Sequence, residues 1–440
     1  MLVLICCAII LLYGLFRYTN GRKGDGALVF FFFLTGGFHF LNQDWCPVKY
    51  LDFAVVYLLA VATLNVLKGN FSFFKPQIKI YKVVTFVGVF ITIEFIRTVL
   101  LKEEYLSFAF SNYRTYLPFF SFWIAQELNE REVKRLFKQI AVITIISTVL
   151  FDLQPLLHIR ILQHAKTFET RYRNIPFLAY FFMLLATVRL DFKKWKTVLL
   201  VLVFVMAVVL TKHRAVMIGY VLCIGLYLLM SKKVGNYFQY GIIGLAVFLL
   251  AGETIVNRFE NASNKGSTLE DIKTVINLDY STAIYREYED VNGTLSFRVL
   301  LFMERVDYMI NNPRYTVFGI GTRHEDSPKT KRQFDFVLGS HRSSNDTIGQ
   351  ISSGDLAWLK PLMRFGFFGI ALFLYMSWVI LSFFYKNRRI SDVTMTAFLF
   401  YMFLIIISFK NDHLYGNMQM FFIYLLIEYI RYAQFKIKDQ

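Results

Sequence analysis

VLLVLVFVMAVVL (Val198–Leu210), TKHR (Thr211–Arg214) and AVMIGYVLCIGLYLLM (Ala215–Met230) follow one another without a break: two apolar runs split by four polar residues. Each run approaches the roughly 20 residues a helix needs to cross a bilayer core. Outward from this pair the pattern repeats along most of the chain. About thirteen spans are expected, near 1–16, 27–41, 51–67, 83–101, 106–126, 137–152, 175–190, 196–211, 214–230, 238–252, 360–385, 393–409 and 416–431. The composition agrees: of 440 residues, 56% are hydrophobic, against about 45–50% in a soluble domain. The opening MLVLICCAIILLYGLF lacks a basic leader and a small-residue cleavage site, so a retained helix is expected there.

The net charge of +17 invites a nucleic-acid reading, but a polytopic membrane protein concentrates Lys and Arg in its cytoplasmic loops. RYTNGRKGDG, KGNFSFFKPQIKIYK, ELNEREVKRLFK, RLDFKKWK, SKKVGN, YKNRRISD and the tail RYAQFKIKDQ form one alternating set, clearly more basic than NQDWCPVKY, KEEY, the Leu153–Asn174 segment, TKHR and KNDHLYGN. The basic set is therefore assigned to the cytoplasm, with the N-terminus outside and the C-terminus inside. Three parts result: a bundle at 1–252, a large outer segment at 253–359 and closing membrane helices at 360–440. Cys6, Cys7, Cys46 and Cys223 show neither metal-ligand spacing nor a disulfide framework. No His, Asp or Glu cluster has metal spacing, and no P-loop or internal repeat is present, which argues against an ATP-driven pump.

Within the outer segment, SFRVLLFMERVDYMINNP places Phe297, Leu301, Val306 and Ile310 at helical spacing, with Ser296 as N-cap and Pro313 as stop. An amphipathic helix lying on the outer surface is expected. FGIG follows, and Gly319 and Gly321 imply a turn more readily than a phosphate cradle. The segment re-enters the membrane through GDLAWLKPLMRFGFFG, which brings Asp355, Lys360 and Arg364 to the threshold of a span.

Arginine on the less basic side is the informative anomaly. Arg114, Arg171, Arg173 and Arg214 lie at or near the outer face, and Arg298 sits on the amphipathic helix. Arg114, several residues into an expected span, costs roughly 2.5–3.5 kcal/mol on insertion scales unless paired or wet. Snorkelling to the interface explains any one of these; several on one side point to an anionic ligand, because the guanidinium fork suits phosphate and carboxylate oxygens. A lipid-linked pyrophosphate fits that demand. Glycosyl transfer from it needs positive charge on the departing pyrophosphate and a base for the acceptor hydroxyl. Asp355, His341 and His324 are candidates for the base. Asp355 equally suits the N-cap of LAWLKPLMRF, the two histidines equally suit solvated loop positions, and Glu94 and Arg97 suit each other as an i,i+3 pair.

FGIG, a polar loop and then DLAWLKPLMRFGFFG resemble the signature of the O-antigen ligase and polymerase family. Gly366 and Gly369 match its closing glycine pair, Leu359 its leucine, Arg214 its arginine at the outer start of a span, and Arg298 the arginine of its loop helix. Asp355 stands where the family often has His, and Leu356 where it has Asn, so either Asp355 takes the base role, or a loop histidine does, or the arginines do most of the work. The resemblance implies an all-α, GT-C-like helical bundle at the bacterial inner membrane, working at the periplasmic face on undecaprenyl-pyrophosphate-linked oligosaccharide without cofactor or metal. On this reading Asp355, Arg214, Arg298 and His341 are the expected catalytic set. Arg114, Arg171, Arg173, Gly319, Gly321 and Arg364 are the expected substrate contacts. A polymerase for O-antigen or capsule, with a chain-length regulator as partner and no role for nucleic acid, is the leading expectation. A ligase to lipid A core and a flippase for lipid-linked sugars are the alternatives.

Overall fold

A computed structural model describes residues 2–157, 178–191, 193–211, 213–231, 294–334, 349–351, 356–409 and 413–438, together with residues 162, 167, 168, 171, 172, 175, 176, 241, 336, 338 and 339. The described chain is helical apart from one two-residue ladder. In order run α1 (Leu2–Thr19), α2 (Lys23–Leu34), α3 (Tyr50–Leu67), α4 (Lys79–Leu100), α5 (Leu106–Tyr113), the single turn α6 (Phe122–Ala125) and α7 (Glu130–Leu157). After the ladder of Thr167–Phe168 with Arg171–Tyr172 come α8 (Ala179–Val188), α9 (Trp195–Thr211) and α10 (Arg214–Ser231). Then follow α11 (Thr294–Asn311), α12 (Pro313–Thr316), α13 (Pro328–Gln333), α14 (Leu359–Asn387), α15 (Asp392–Ile407) and α16 (Asn417–Lys438).

Among the described residues five helices, α1, α3, α4, α7 and α14, are long and apolar enough to cross a membrane. Four more apolar helices, Ala179–Val188, Trp195–Thr211, Ala215–Ser231 and Asp392–Ile407, are shorter. Their surfaces carry the same message. On α1 the exposed residues include Leu2, Ile5, Ile9, Leu12 and Phe16, and on α4 they include Phe86, Val89, Ile93, Ile96 and Leu100. Apolar stripes of that length at helical spacing are out of place against water and suited to lipid. Inside this ring, α16 is a central post. Phe421, Phe422, Tyr424, Leu426 and Ile427 are fully buried, and Phe421 meets Phe30 of α2 edge-on at 5.0 Å while Phe422 meets Phe181 of α8 at 4.9 Å.

Several expected spans take other forms. The 106–126 run is broken after α5. Arg114 caps that helix, and Leu117–Ser121 tightens into a 3-10 turn containing Pro118, which has no amide hydrogen to continue an α-helix. The 27–41 run is helical only to Leu34. Gly36, Gly37, Phe38 and His39 then all take positive φ (58, 66, 58 and 71°). A left-handed turn costs roughly 1–2 kcal/mol per side-chain-bearing residue, and Thr35 supports it by accepting the Phe38 amide on Oγ1. The 238–252 run lies outside the described residues, save residue 241.

At one end of the bundle the basic turns are knitted by ion pairs: Asp25 with Arg17 and Arg135, Lys23 with Glu127, and Glu428 with Arg431. At the other end α11–α13 pack on the first turns of α14. Leu300, Leu301, Met309, Tyr315, Ile320, Phe334, Phe336, Leu359 and Met363 form a second small core there. The amphipathic helix therefore turns its buried face to protein. That face is Leu300, Leu301, Glu304, Arg305 and Met309, not the expected Phe297–Leu301–Val306–Ile310 stripe; Ile310 is exposed. The helix begins at Thr294, so Ser296 lies inside it rather than at its cap. Arg305, with no exposed surface, explains the rotation: it pairs with Glu304, donates to the Gly349 carbonyl and stacks 4.3 Å from the Phe336 ring.

Candidate functional site

The FGIG turn and the GFFG entry meet backbone to backbone. The Ile320 amide donates to the Met363 carbonyl and the Gly321 amide to the Arg364 carbonyl, each at 2.9 Å, and the Phe368 amide donates to the Val317 carbonyl. Such contact leaves no room for side chains. A Cβ on Gly319 would lie 2.4 Å from the Arg364 carbonyl carbon, one on Gly366 2.3 Å from the Val317 oxygen, and one on Gly321 1.9 Å from Thr98 Oγ1. All three glycines have positive φ, and Gly366 (φ 64°, ψ −166°) breaks α14 into a short entry helix and a long span. The Gly319 and Gly321 amides are already taken by the carbonyls of Tyr315 and Arg364. The two expected substrate-contact glycines thus shape the turn and have no amide left over for a phosphate.

Carboxylates from the end of α4 and the turn after it hold this junction down. Glu94 pairs with Arg97, which donates to the Gly319 carbonyl at 3.1 Å. Glu103, almost wholly buried, receives Arg97, Arg314 and Arg323. Glu104 accepts from Ser327 Oγ at 2.6 Å and from the His324 amide. The i,i+3 pairing of Glu94 with Arg97 is as the sequence suggests, and it also anchors the turn.

Arg364 is different. It is 4% exposed, its Nη1 donates to the Tyr116 hydroxyl at 3.1 Å, and its Nε has no hydrogen-bond partner among the described residues. Among the described residues no carboxylate pairs with it. A charge taken out of water with no counter-charge is expensive. One turn earlier Lys360 lies 5.5 Å over the same Tyr116 ring, so two like charges share one helix face. His324 stands close by. Burial pulls its imidazole below the usual range, and the positive charges of Arg364 and Lys49 pull it further against the opposing pull of Asp326 and Glu325. Its Nδ1 accepts the Asp326 amide at 3.2 Å, which puts the proton of the neutral ring on Nε2. Chemically this corner can receive an anion on Arg364, and His324 lies within reach of the same field.

The other expected site residues fall as follows. Arg114 is satisfied by Asp52 at 2.7 Å, tying α5 to the start of α3. Arg298 is half-buried on α11. Arg171 lies in the ladder and Arg214 at the first position of α10, with only their backbones described. Asp355, His341 and Arg173 lie outside the described residues. Lys49, Tyr116, Arg305, Arg323, Glu103 and Glu104 escape the sequence reading. KEEY advertised two adjacent carboxylates in a short apolar-flanked turn, but nothing in sequence linked them to arginines more than 200 positions away. No group of three His, Cys, Asp or Glu residues able to hold a metal occurs among the described residues.

No family model matches the chain, and no curated protein matches it.

Proposed function

We propose that this chain is a membrane-embedded glycosyltransferase that extends a bacterial polysaccharide at the periplasmic face of the inner membrane. It would move a growing glycan from undecaprenyl pyrophosphate onto the next lipid-linked repeat unit. The observation that carries the reading is Arg364: a buried guanidinium, tied only to a tyrosine hydroxyl among the described residues, at the mouth of an apolar helical bundle. A departing pyrophosphate develops negative charge, and a cation already fixed in a dry site stabilises that charge most where it appears. The amphiphilic donor suits the place, its chain in the bilayer and its phosphates at the bundle end. Because the pyrophosphate link is already activated, the reaction draws on neither nucleotide nor metal. Further support is that the two glycine elements of the family resemblance, distant in sequence, are in backbone contact. The less basic end, which holds Arg364, is assigned to the periplasm and the ion-paired basic end to the cytoplasm.

The test is reconstitution of the purified chain in lipid vesicles with a lipid-pyrophosphate-linked repeat unit, chelator and no ATP, the products being sized on a gel. A ladder of lengthening glycans is expected, and it should vanish with Arg364→Met. Translocation of the lipid-linked sugar without a ladder would make the site a transporter's. Transfer only to lipid A core would make it a ligase's.

A further inference from the structure

Beyond the end of α4 the chain is built inside out. Glu103 and Glu104 of the turn after it are buried, as are Arg305 and Arg323 of the segment packed there. Leu101, Tyr105, Leu106 and Phe110, from the same turn and α5, are 44–62% exposed. Buried charge behind an exposed apolar patch is the reverse of an ordinary water-facing surface. The backbone enforces it. The Lys102 amide donates to the Val99 carbonyl and the Glu103 amide to the Thr98 carbonyl, the two bonds of a Schellman turn. Lys102 takes the left-handed position of that turn (φ 53°). The two glutamates that follow go inward, while Leu100 and Leu101 stay outside.

The rest of the edge comes from the turn that leads into FGIG. Val317 and Phe318 are exposed. The Phe318 ring meets Phe368 of α14 at 5.7 Å, and Phe368 meets Phe90 of α4 at 5.2 Å. Polar contacts behind the edge lock its two halves together. Arg314 pairs with Glu103, the Thr322 amide donates to Thr98 Oγ1 at 3.0 Å, and Lys329 Nζ donates to the Lys102 carbonyl. The edge also continues the exposed α4 stripe, which ends at Leu100. From Lys82, in its first turn, to Leu100 that helix rises about 27 Å at about 1.5 Å per residue. A hydrocarbon core is roughly 30 Å thick, so α4 alone falls short of covering it.

We propose that this edge, α5 with the Val317–Phe318 turn, is immersed in the phospholipid leaflet at its end of the bundle, at the boundary between acyl chains and headgroups. Its apolar side chains meet the hydrocarbon that α4 leaves uncovered. Lys102 and Arg314, both exposed beside it, reach up to the lipid phosphates on their apolar stems. Continuity with the α4 stripe and these flanking cations make the bilayer the occupant, rather than a second copy of the chain. The Gly321 amide of the FGIG turn bonds the Arg364 carbonyl, so the Arg364 corner is held at the same depth. The inference needs only that the helices lie in a bilayer, and it stands or falls independently of the glycan reading.

The full chain is reconstituted in vesicles of phosphatidylethanolamine and phosphatidylglycerol, doped with phosphatidylethanolamine that carries a diazirine in one acyl chain. A parallel sample without the doped lipid receives a charged, water-soluble diazirine. After photolysis the labelled peptides are mapped. Lipid labelling of residues 101–110 and 317–318 should be comparable to that of the α4 stripe and several-fold above that of α13, which exposes Lys331 and Gln333. The soluble reagent should give the reverse order. Lipid labelling of the edge no greater than that of α13, or stronger labelling of the edge than of α13 by the soluble reagent, would overturn the proposal. So would protection of the edge from both reagents, the result that contact with a second copy would give.

Discussion

Arg364→Met removes a positive charge from a place where the protein gains little by keeping it. The side chain is 4% exposed and, among the described residues, makes one hydrogen bond, to the Tyr116 hydroxyl. A hydrogen bond to a charged group contributes about 1.5–3 kcal/mol. Against it stands the desolvation of an ion that no described carboxylate pairs, several kcal/mol even after relaxation. Met fills similar space with an adaptable apolar chain. The two terms together predict that the variant unfolds at the wild-type temperature or above it. Function should move the other way. Losing one preorganised stabiliser of developing negative charge lowers turnover about 10²–10³-fold. The assay pairs thermal unfolding of the detergent-purified protein, with and without inorganic pyrophosphate, with the elongation gel. Pyrophosphate at about a hundred times its dissociation constant should stabilise the wild type by about 2.7 kcal/mol and leave Arg364→Met unmoved. If the variant instead loses about 3–5 kcal/mol, the amount that follows breaking a buried pair, and still elongates glycan, then Arg364 is a structural tie and the site reading fails.

Three further outcomes follow from the same geometry. Gly366→Ala combines a backbone conformation nearly confined to glycine, worth about 1–3 kcal/mol, with a Cβ 2.3 Å from a backbone oxygen, worth about 1–3 more; denaturant unfolding should show a loss of about 2–6 kcal/mol, and a loss under 1 would refute the close-approach argument. Glu325 accepts the amides of Gln350 and Ile351 at 2.8 and 3.0 Å. Glu325→Ala should therefore release those amides to hydrogen exchange at about 1–3 kcal/mol each, while Glu325→Gln, which keeps an acceptor, should release them far less. For His324 the folded-state value lies below the unfolded one, near 6.5, so the unfolded chain takes up the proton first. Its contribution to stability is full above about pH 6.5 and is lost as pH falls from there towards the folded value. His324→Gln should flatten that slope in unfolding curves taken between about pH 5 and 7.5, and an unchanged slope would remove His324 as its source.

Helical character was written plainly in the chain because hydropathy is a local property. The apolar runs of α1, α3, α4, α7 and α14 could be read window by window, and their lipid-compatible stripes confirm helices suited to a membrane. Helix length was less legible. Phe-rich 27–41 reads as one span, yet the Thr35–His39 turn ends α2 at Leu34 through backbone dihedrals that no hydropathy window records. The same limit hid the buried face of α11. A stripe drawn through apolar residues alone missed that Glu304 and Arg305 neutralise each other and go inside.

For the site, residue type was legible and pairing was not. Arg114 and Arg364 are both arginines near the start or end of an apolar run, and sequence offered the same ligand-binding reading for each. Asp52 separates them: it satisfies Arg114 across 62 positions, and no described carboxylate does this for Arg364. The same test sorts Arg97, Arg314 and Arg323, which share Glu103 and hold the FGIG turn in place. An excess of arginine at one end of a bundle is therefore weak evidence for an anion site, because most of the excess can be neutralised by carboxylates brought in from elsewhere. The stronger evidence is the cation that remains buried once those pairs are drawn. His324 is lowered first by burial and only in smaller part by the charges of Arg364 and Lys49, and that smaller part is what a bound anion would cancel, which gives the corner a second readout. Occupancy by pyrophosphate should raise the His324 value in the wild type and leave it unchanged in Arg364→Met, as followed by the imidazole resonances during titration.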